Sequence, residues 1–247
     1  MTDLSEIMSQ LEAAGTIQNR KIYTRHGAVE PMFGVSYAAL GKIAKPVKSN
    51  NTLACELWDT KNHDARVLAL RITNSAEITE KQLVNWIADA DNYILVEGLG
   101  GLCAKTAYAR KISDNLRDKA SEWPASVGWF IVACTAENPN VWQVGELRSL
   151  IHQIEAEITN RPNRVRHEMN AAMIAIALRD GNLRKAVLAS ARRIGPVKVD
   201  HGQTGCKTPD IEAYVERTLA HRETLAQRRA ARLQKKTQQQ RRTAKAV

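Results

Sequence analysis

The segment 163–195, NRVRHEMNAAMIAIALRDGNLRKAVLASARRIG, decides the fold. Its apolar residues recur at helical spacing, which predicts two consecutive helices, Asn163–Leu178 and Asn182–Ile194. The turn pair Asp180-Gly181 separates them, and a second pair, Gly195-Pro196, closes the unit.

The same pattern extends towards the N-terminus. Helices are predicted over Ser5–Ala14, with Ile7, Met8 and Leu11 on one face, and over Ser36–Lys45, with Tyr37, Leu40 and Ile43 and an end at Pro46. Thr52–Trp58 and Asp64–Ile72 follow. Thr79 and Gln82 form a capping-box pattern in front of Leu83, Trp86 and Ile87. Asp91–Glu97, Thr106–Lys119, a helix carrying Pro124 in its first turn, and Val141–Ile158 complete the series. Val197-Lys198-Val199 alone has a weak strand-like alternation. Helix pairs recur at roughly 35–45 residues, the range of HEAT and armadillo repeats. The expected fold is therefore all-α, a curved solenoid of HEAT-like helical repeats whose concave face is the usual binding surface.

Charge divides the chain in two. From His221 to Val247 there are nine Lys or Arg and one acid, Glu223, a net +8 of the total +10. Residues 1–220 are thus read as the solenoid domain and 221–247 as a basic tail. The tail is rich in Ala, Gln, Arg and Lys and is expected to be a helix that runs off the last repeat and frays. Such tails attract polyanions or serve as solubilising extensions. No run of about 18 apolar residues exists, so no membrane span is expected. Met1–Glu6 is acidic and polar, unlike a signal peptide. Cys55, Cys103, Cys134 and Cys206 form no CxxC pair, and the first three sit in apolar stretches where a buried thiol is expected. A cytoplasmic protein fits these features.

Several constellations have two readings. Asp200, His201, Cys206 and Asp210 are metal-ligand residue types, but their irregular spacing fits a hydrogen-bonded loop better, and no metal or cofactor is expected. Asn163, Arg164, Arg166 and His167 open a helix, with Arg161 just before it. They can bind phosphate, or pair internally as Arg164 with Glu168. Lys185, Arg192 and Arg193 lie further on, Arg192 and Arg193 extending the same basic surface, and Arg228 and Arg229 in the tail are further DNA-binding candidates. Trp58, Trp86, Trp123, Trp129 and Trp142 are expected mostly in the core. Gly98-Leu99-Gly100-Gly101 lacks the strand and the Lys-Ser/Thr of a phosphate loop, so it ends a helix or lets two helices approach.

Four stretches resemble the AlkD-like DNA alkylation repair family: Met32-Phe33-Gly34-Val35-Ser36, Glu56–Ala69, Asn163–Asn170 and Val199–Asp210. The resemblance spans roughly residues 20–220. It implies a HEAT-like stack that cradles double-stranded DNA, and in active members hydrolysis of the glycosidic bond of N3- or N7-alkylated purines. A carboxylate there stabilises the oxocarbenium sugar and positions water. Active members resemble the pattern Asn-Trp-Asp-x-x-Asp, which reads Asn92-Tyr93-Ile94-Leu95-Val96-Glu97 in this chain. The resemblance makes Tyr93 and Glu97 the catalytic candidates, on one helical face. Ile94 replaces the first Asp, no Trp occurs in Val165–Leu178, and Pro124-Ala125-Ser126-Val127 lacks the expected basic residue.

The leading expectation is a monomeric DNA-binding protein whose excision chemistry is weakened or lost. The alternatives are an active glycosylase using Glu97 and Tyr93, and a protein–protein scaffold.

Overall fold

In a computed structural model, the described residues are 3–244 for the backbone and 3–233 for the side chains. They form helices and no strand, with one isolated antiparallel bridge, Gly15 with Val35. In chain order the helices are α1 (Leu4–Ala14), α2 (Ile17–Arg25), α3 (Tyr37–Val47), α4 (Asn51–Asp59), α5 (His63–Ile72), α6 (Glu80–Ala88), α7 (Tyr93–Cys103), α8 (Ala109–Leu116), α9 (Glu122–Thr135), α10 (Val144–Glu157), α11 (Asn163–Arg179), α12 (Gly181–Ile194) and α13 (Ile211–Ala244). A short 3-10 turn, Ile158–Asn160, joins α10 to the loop before α11.

The helices stack in two layers, as the repeat rhythm requires. The row α3, α5, α7, α9, α11 and α13 packs neighbour against neighbour, and α4, α6, α8, α10 and α12 back it. The row is parallel. Asn50 N–H donates to Ile72 O at 2.9 Å, joining the ends of α3 and α5. At the start of α11, Arg164 N–H donates to Glu122 at 2.7 Å, and at its end Arg179 donates to Ala136 O at 2.9 Å. α9 is the shared wall of the core. Val127 and Ile131 join the N-terminal apolar cluster, and Ala125, Trp129 and Val132 join the C-terminal one. Such a helix must be apolar all round. That is why its sequence shows no polar face.

Local chemistry sets the helix starts. Asn50, Asn62, Asn92 and Asp180 each accept a backbone N–H from the first turn that would otherwise lack a partner. The Thr79–Gln82 capping box is present, and Gln143 with Glu146 forms another that starts α10 at Val144, not at Val141. α8 starts at Ala109, not Thr106, because the Thr106 hydroxyl donates to Cys103 O and accepts from Tyr108 N–H, a local turn that competes with helix. α3 carries Pro46 and ends one residue later, at Val47. The Gly98–Gly101 run does not end α7. A Cβ at Gly98 or Gly100 would meet Leu70 or Phe130 at 2.6 Å, so these glycines are the flat surface that lets α5 and α9 close on α7.

The periodicity reading omits α2, which buries no residue. It is held by its ends: Thr16 N–H donates to Gly34 O at 3.1 Å, and Tyr23 Oη donates to Val35 O at 2.7 Å. The loop that receives it is built on Asp64, a fully buried carboxylate that accepts N–H bonds from Phe33, Gly34 and Val35 at 2.7, 2.9 and 2.8 Å. Gly34 has φ +80°, and a Cβ there would meet Thr16 O at 2.5 Å. Of the cysteines, Cys103 is buried and Cys55 partly so, but Cys134 is exposed, on the side of α9 turned away from both clusters. α13 crosses residue 220 without a break. The tail expected to fray runs on as α13 to Ala244, and its last residues, 245–247, lie outside those described.

Candidate functional site

Asn92 is the N-cap of α7, its side chain accepting from Ile94 and Leu95 N–H. Tyr93 therefore begins the helix, and Glu97 stands one turn on. The parallel stacking brings the first turn of α11 to the same place. Arg164, almost buried, lies with its guanidinium carbon 4.3 Å from the centroid of the Tyr93 ring. Its Nη2 donates to Glu97 Oε1 and Glu168 Oε1, both at 3.1 Å. One cation thus joins both predicted catalytic side chains to a second carboxylate.

The environment sorts these groups. Glu168 is 1% exposed, and burial pushes its pKa to about 8 against the pull of Arg164. Burial also raises Glu97, with Arg164 opposing. Glu97 keeps 41% of its side-chain surface. Tyr93 is raised to about 12 by burial, and its hydroxyl bonds the Nδ1 of His26, which follows α2. His167 is lowered to about 4 by burial, so its ring is neutral, and it meets His201 edge-on at 5.4 Å. Arg164 Nε and His167 Nδ1 have no protein partner. A cavity of about 510 Å³ opens over the cluster, lined among others by Arg25, Tyr93, Glu97, Trp123, His201 and Lys207. Trp123 is the half-buried exception among tryptophans that are otherwise in the core.

Glu97, His167 and Glu168 each bring a ligand atom within 4.8 Å of the others. Arg164 already supplies the positive charge at that point. The segment Asp200–Asp210 is a hydrogen-bonded loop. Asp200 accepts from Gly202 N–H, His201 Nε2 bonds the Thr208 hydroxyl at 2.9 Å, and Asp210 accepts from Ala213 N–H at the start of α13.

The other basic residues singled out in the sequence are dispersed. Arg161 donates to Arg117 O and Lys119 O. Arg166 is half-buried and bonds Asn163. Arg192 and Arg193 are exposed but paired with Glu212 and Glu155, each at 2.5 Å. Lys185, Arg228 and Arg229 face solvent. Glu122 caps the α11 N-terminus, and of the two readings of that turn the internal Arg164–Glu168 pair is formed.

A different basic surface emerges across the C-terminal ends of α3, α5 and α7. A cleft of about 840 Å³ is lined there by Lys45, Lys48, Arg71 and Lys105, with Tyr37 on one wall and Glu97 at its border with the Arg164 cavity. All four cations are exposed, and among the described residues none makes an ion pair. Arg71 lies 5.3 Å over the Tyr37 ring, an arrangement that leaves its charge available. The four come from three helices, so no single stretch of sequence announces them.

This helical stack with a cationic cleft beside an acid–arginine–tyrosine cluster matches the family model described as DNA alkylation repair enzyme, over residues 7–204. The chain belongs to that family. It is similar to uncharacterized proteins of Listeria innocua serovar 6a and Listeria monocytogenes serovar 1/2a, each 26% identical over 223 residues, 88% of this chain and 97% of theirs. A solved structure, from a new family of proteins related to the HEAT-like repeat DNA glycosylases with affinity for branched DNA structures, superposes with a TM-score of 0.80. It is 26% identical and covers 89% of this chain and 94% of its own.

Proposed function

We propose that this chain is a DNA-binding protein of the alkylation repair family in which base excision is weakened or lost, and that duplex DNA lies in the cleft of Lys45, Lys48, Arg71 and Lys105. The observation that carries the reading is the state of those cations: exposed, clustered and unpaired. Cations in that state release counterions when they meet phosphates. The neighbouring cluster supports the second half of the reading. A carboxylate meant to stabilise an oxocarbenium sugar needs its negative charge free for the substrate. Glu97 instead shares Arg164 with Glu168, and the same guanidinium lies over one face of the Tyr93 ring.

The test is equilibrium binding to a fluorescent duplex over a salt series, with a branched DNA as second probe because the solved relative has affinity for such structures. Submicromolar binding whose logarithm falls linearly with log salt supports the reading. Salt-independent binding, or none, rejects it. Lys185→Ala in the same series decides whether α12 also takes part.

One feature favours a second reading, an active glycosylase using Glu97 and Tyr93: Glu97 borders both cavities and remains 41% exposed. Release of free base from N7-methylguanine duplex in single turnover, above spontaneous depurination, selects it.

A further inference from the structure

We infer that the exposed half of α13 is a second DNA-contacting arm, so that the protein engages two duplex segments at once, one in the cleft and one along the arm. This rests on the cleft reading above and extends it to a substrate class, two-armed DNA. α13 is anchored by Ile211 and Val215, both buried, and by Leu219, half-buried, spaced one helical turn apart. The apolar stripe stops there, and every described residue from Ala220 onwards is exposed. The match to the family model ends at residue 204, before α13 begins.

Its charge is ordered. Arg222, Arg229 and Lys236 recur every seven residues, as do Arg228, Lys235 and Arg242, and Arg232 falls between the two rows. Seven residues are almost two helical turns, so the described members of both rows, with Arg232, share one face. Among the described residues Arg222 alone of these is ion-paired. It bonds Glu137 through both guanidinium nitrogens at 2.7 Å. That pair fixes the direction in which the arm leaves. Glu137 lies just past the C-terminal end of α9. From His221 to Ala244 the helix reaches roughly 35 Å, about one turn of duplex DNA. The protein thus presents two separate cationic surfaces, the cleft and the arm, and a linear duplex of one turn in the cleft leaves the arm unsatisfied.

The experiment uses the full chain carrying Arg228→Glu, Arg229→Glu and Arg232→Glu. Glu is as good a helix former as Arg, so the arm persists. Binding is measured on a duplex of about one turn and on a four-way junction, each over a salt series. The expected result is junction affinity lowered at least tenfold and its salt slope reduced by about 3, with short-duplex affinity changed less than threefold. Unchanged junction binding overturns the arm. Equal loss on both DNAs overturns the two-segment arrangement, because the arm is then the common site. A cleft variant, Lys45→Glu with Lys48→Glu and Lys105→Glu, that keeps short-duplex binding rejects the cleft reading instead.

Discussion

Arg164 and Glu97, 67 residues apart in sequence, meet at 3.1 Å, and the same Arg164 nitrogen holds Glu168 at 3.1 Å. The consequence is chemical. A permanent cation of the protein stands against both Glu97 and the Tyr93 ring.

Glu97→Gln therefore removes one partner of Arg164 without removing the cluster. On the proposed function, DNA affinity changes less than threefold or rises slightly, since a negative charge leaves the border of the cleft. Base release from methylated duplex stays at the spontaneous rate for both proteins. A wild-type rate above background that the variant loses places Glu97 in the chemistry.

The cleft cations make a graded prediction. Lys45→Ala, Lys48→Ala, Arg71→Ala and Lys105→Ala each lower the salt slope of duplex binding by about 1 if each meets one phosphate. Binding isotherms at four or five salt concentrations measure this. None of the four touches the core, so melting temperatures stay near that of the parent.

Glu168 makes stability depend on pH. Its folded pKa, about 8, lies above the ordinary 4.5, so the folded state binds the proton more tightly. The stabilisation is full below about pH 4.5 and is lost as pH rises through 8. At about 1.4 kcal/mol per pKa unit the swing is on the order of a few kcal/mol. Denaturant titrations at pH 5, 7 and 9 detect it as the difference from Glu168→Gln, whose profile is flatter.

Asp64→Ala strands three buried backbone N–H groups, at about 1–3 kcal/mol each. A loss of at least about 3 kcal/mol is expected in chemical denaturation. Gly34→Ala, at the same loop, destabilises through its positive φ and the contact with Thr16. In both variants the undocking of α2 also frees His26 from Tyr93, a change visible in the Tyr93 ring resonances by NMR.

Much of the helical order is legible in sequence because each buried helix repeats its apolar residues at the spacing of its turns. α2 is not, because Ile17–Arg25 buries nothing and is held by hydrogen bonds at its ends. The boundaries of α8 and α10 shift for a similar reason: Thr106 and Gln143 choose turn and cap geometry over helix, a competition that periodicity does not register. Tyr93 and Glu97 are legible as a pair on one face. Their engagement by Arg164 is not, because it arises from the stacking of α7 and α11. Lys45, Lys48, Arg71 and Lys105 look like ordinary surface charges until the parallel row sets three helix ends side by side.

The contact between His26 and Tyr93 reaches from the α2 end of the row to α7, and Glu97 reaches on to α11. Solenoids ordinarily gain and lose repeats during evolution, since each unit meets only its neighbours. An extra helix pair between α7 and α11 would move those helices apart by about 8–10 Å. The Glu97–Arg164 link would then break, and a pair inserted between α2 and α7 would break the His26–Tyr93 link. The number of repeats in this segment is therefore counted by the molecule itself, and lineages that keep the cluster are expected to vary in loop length and in the C-terminal extension, while the helix count between residues 26 and 168 stays fixed.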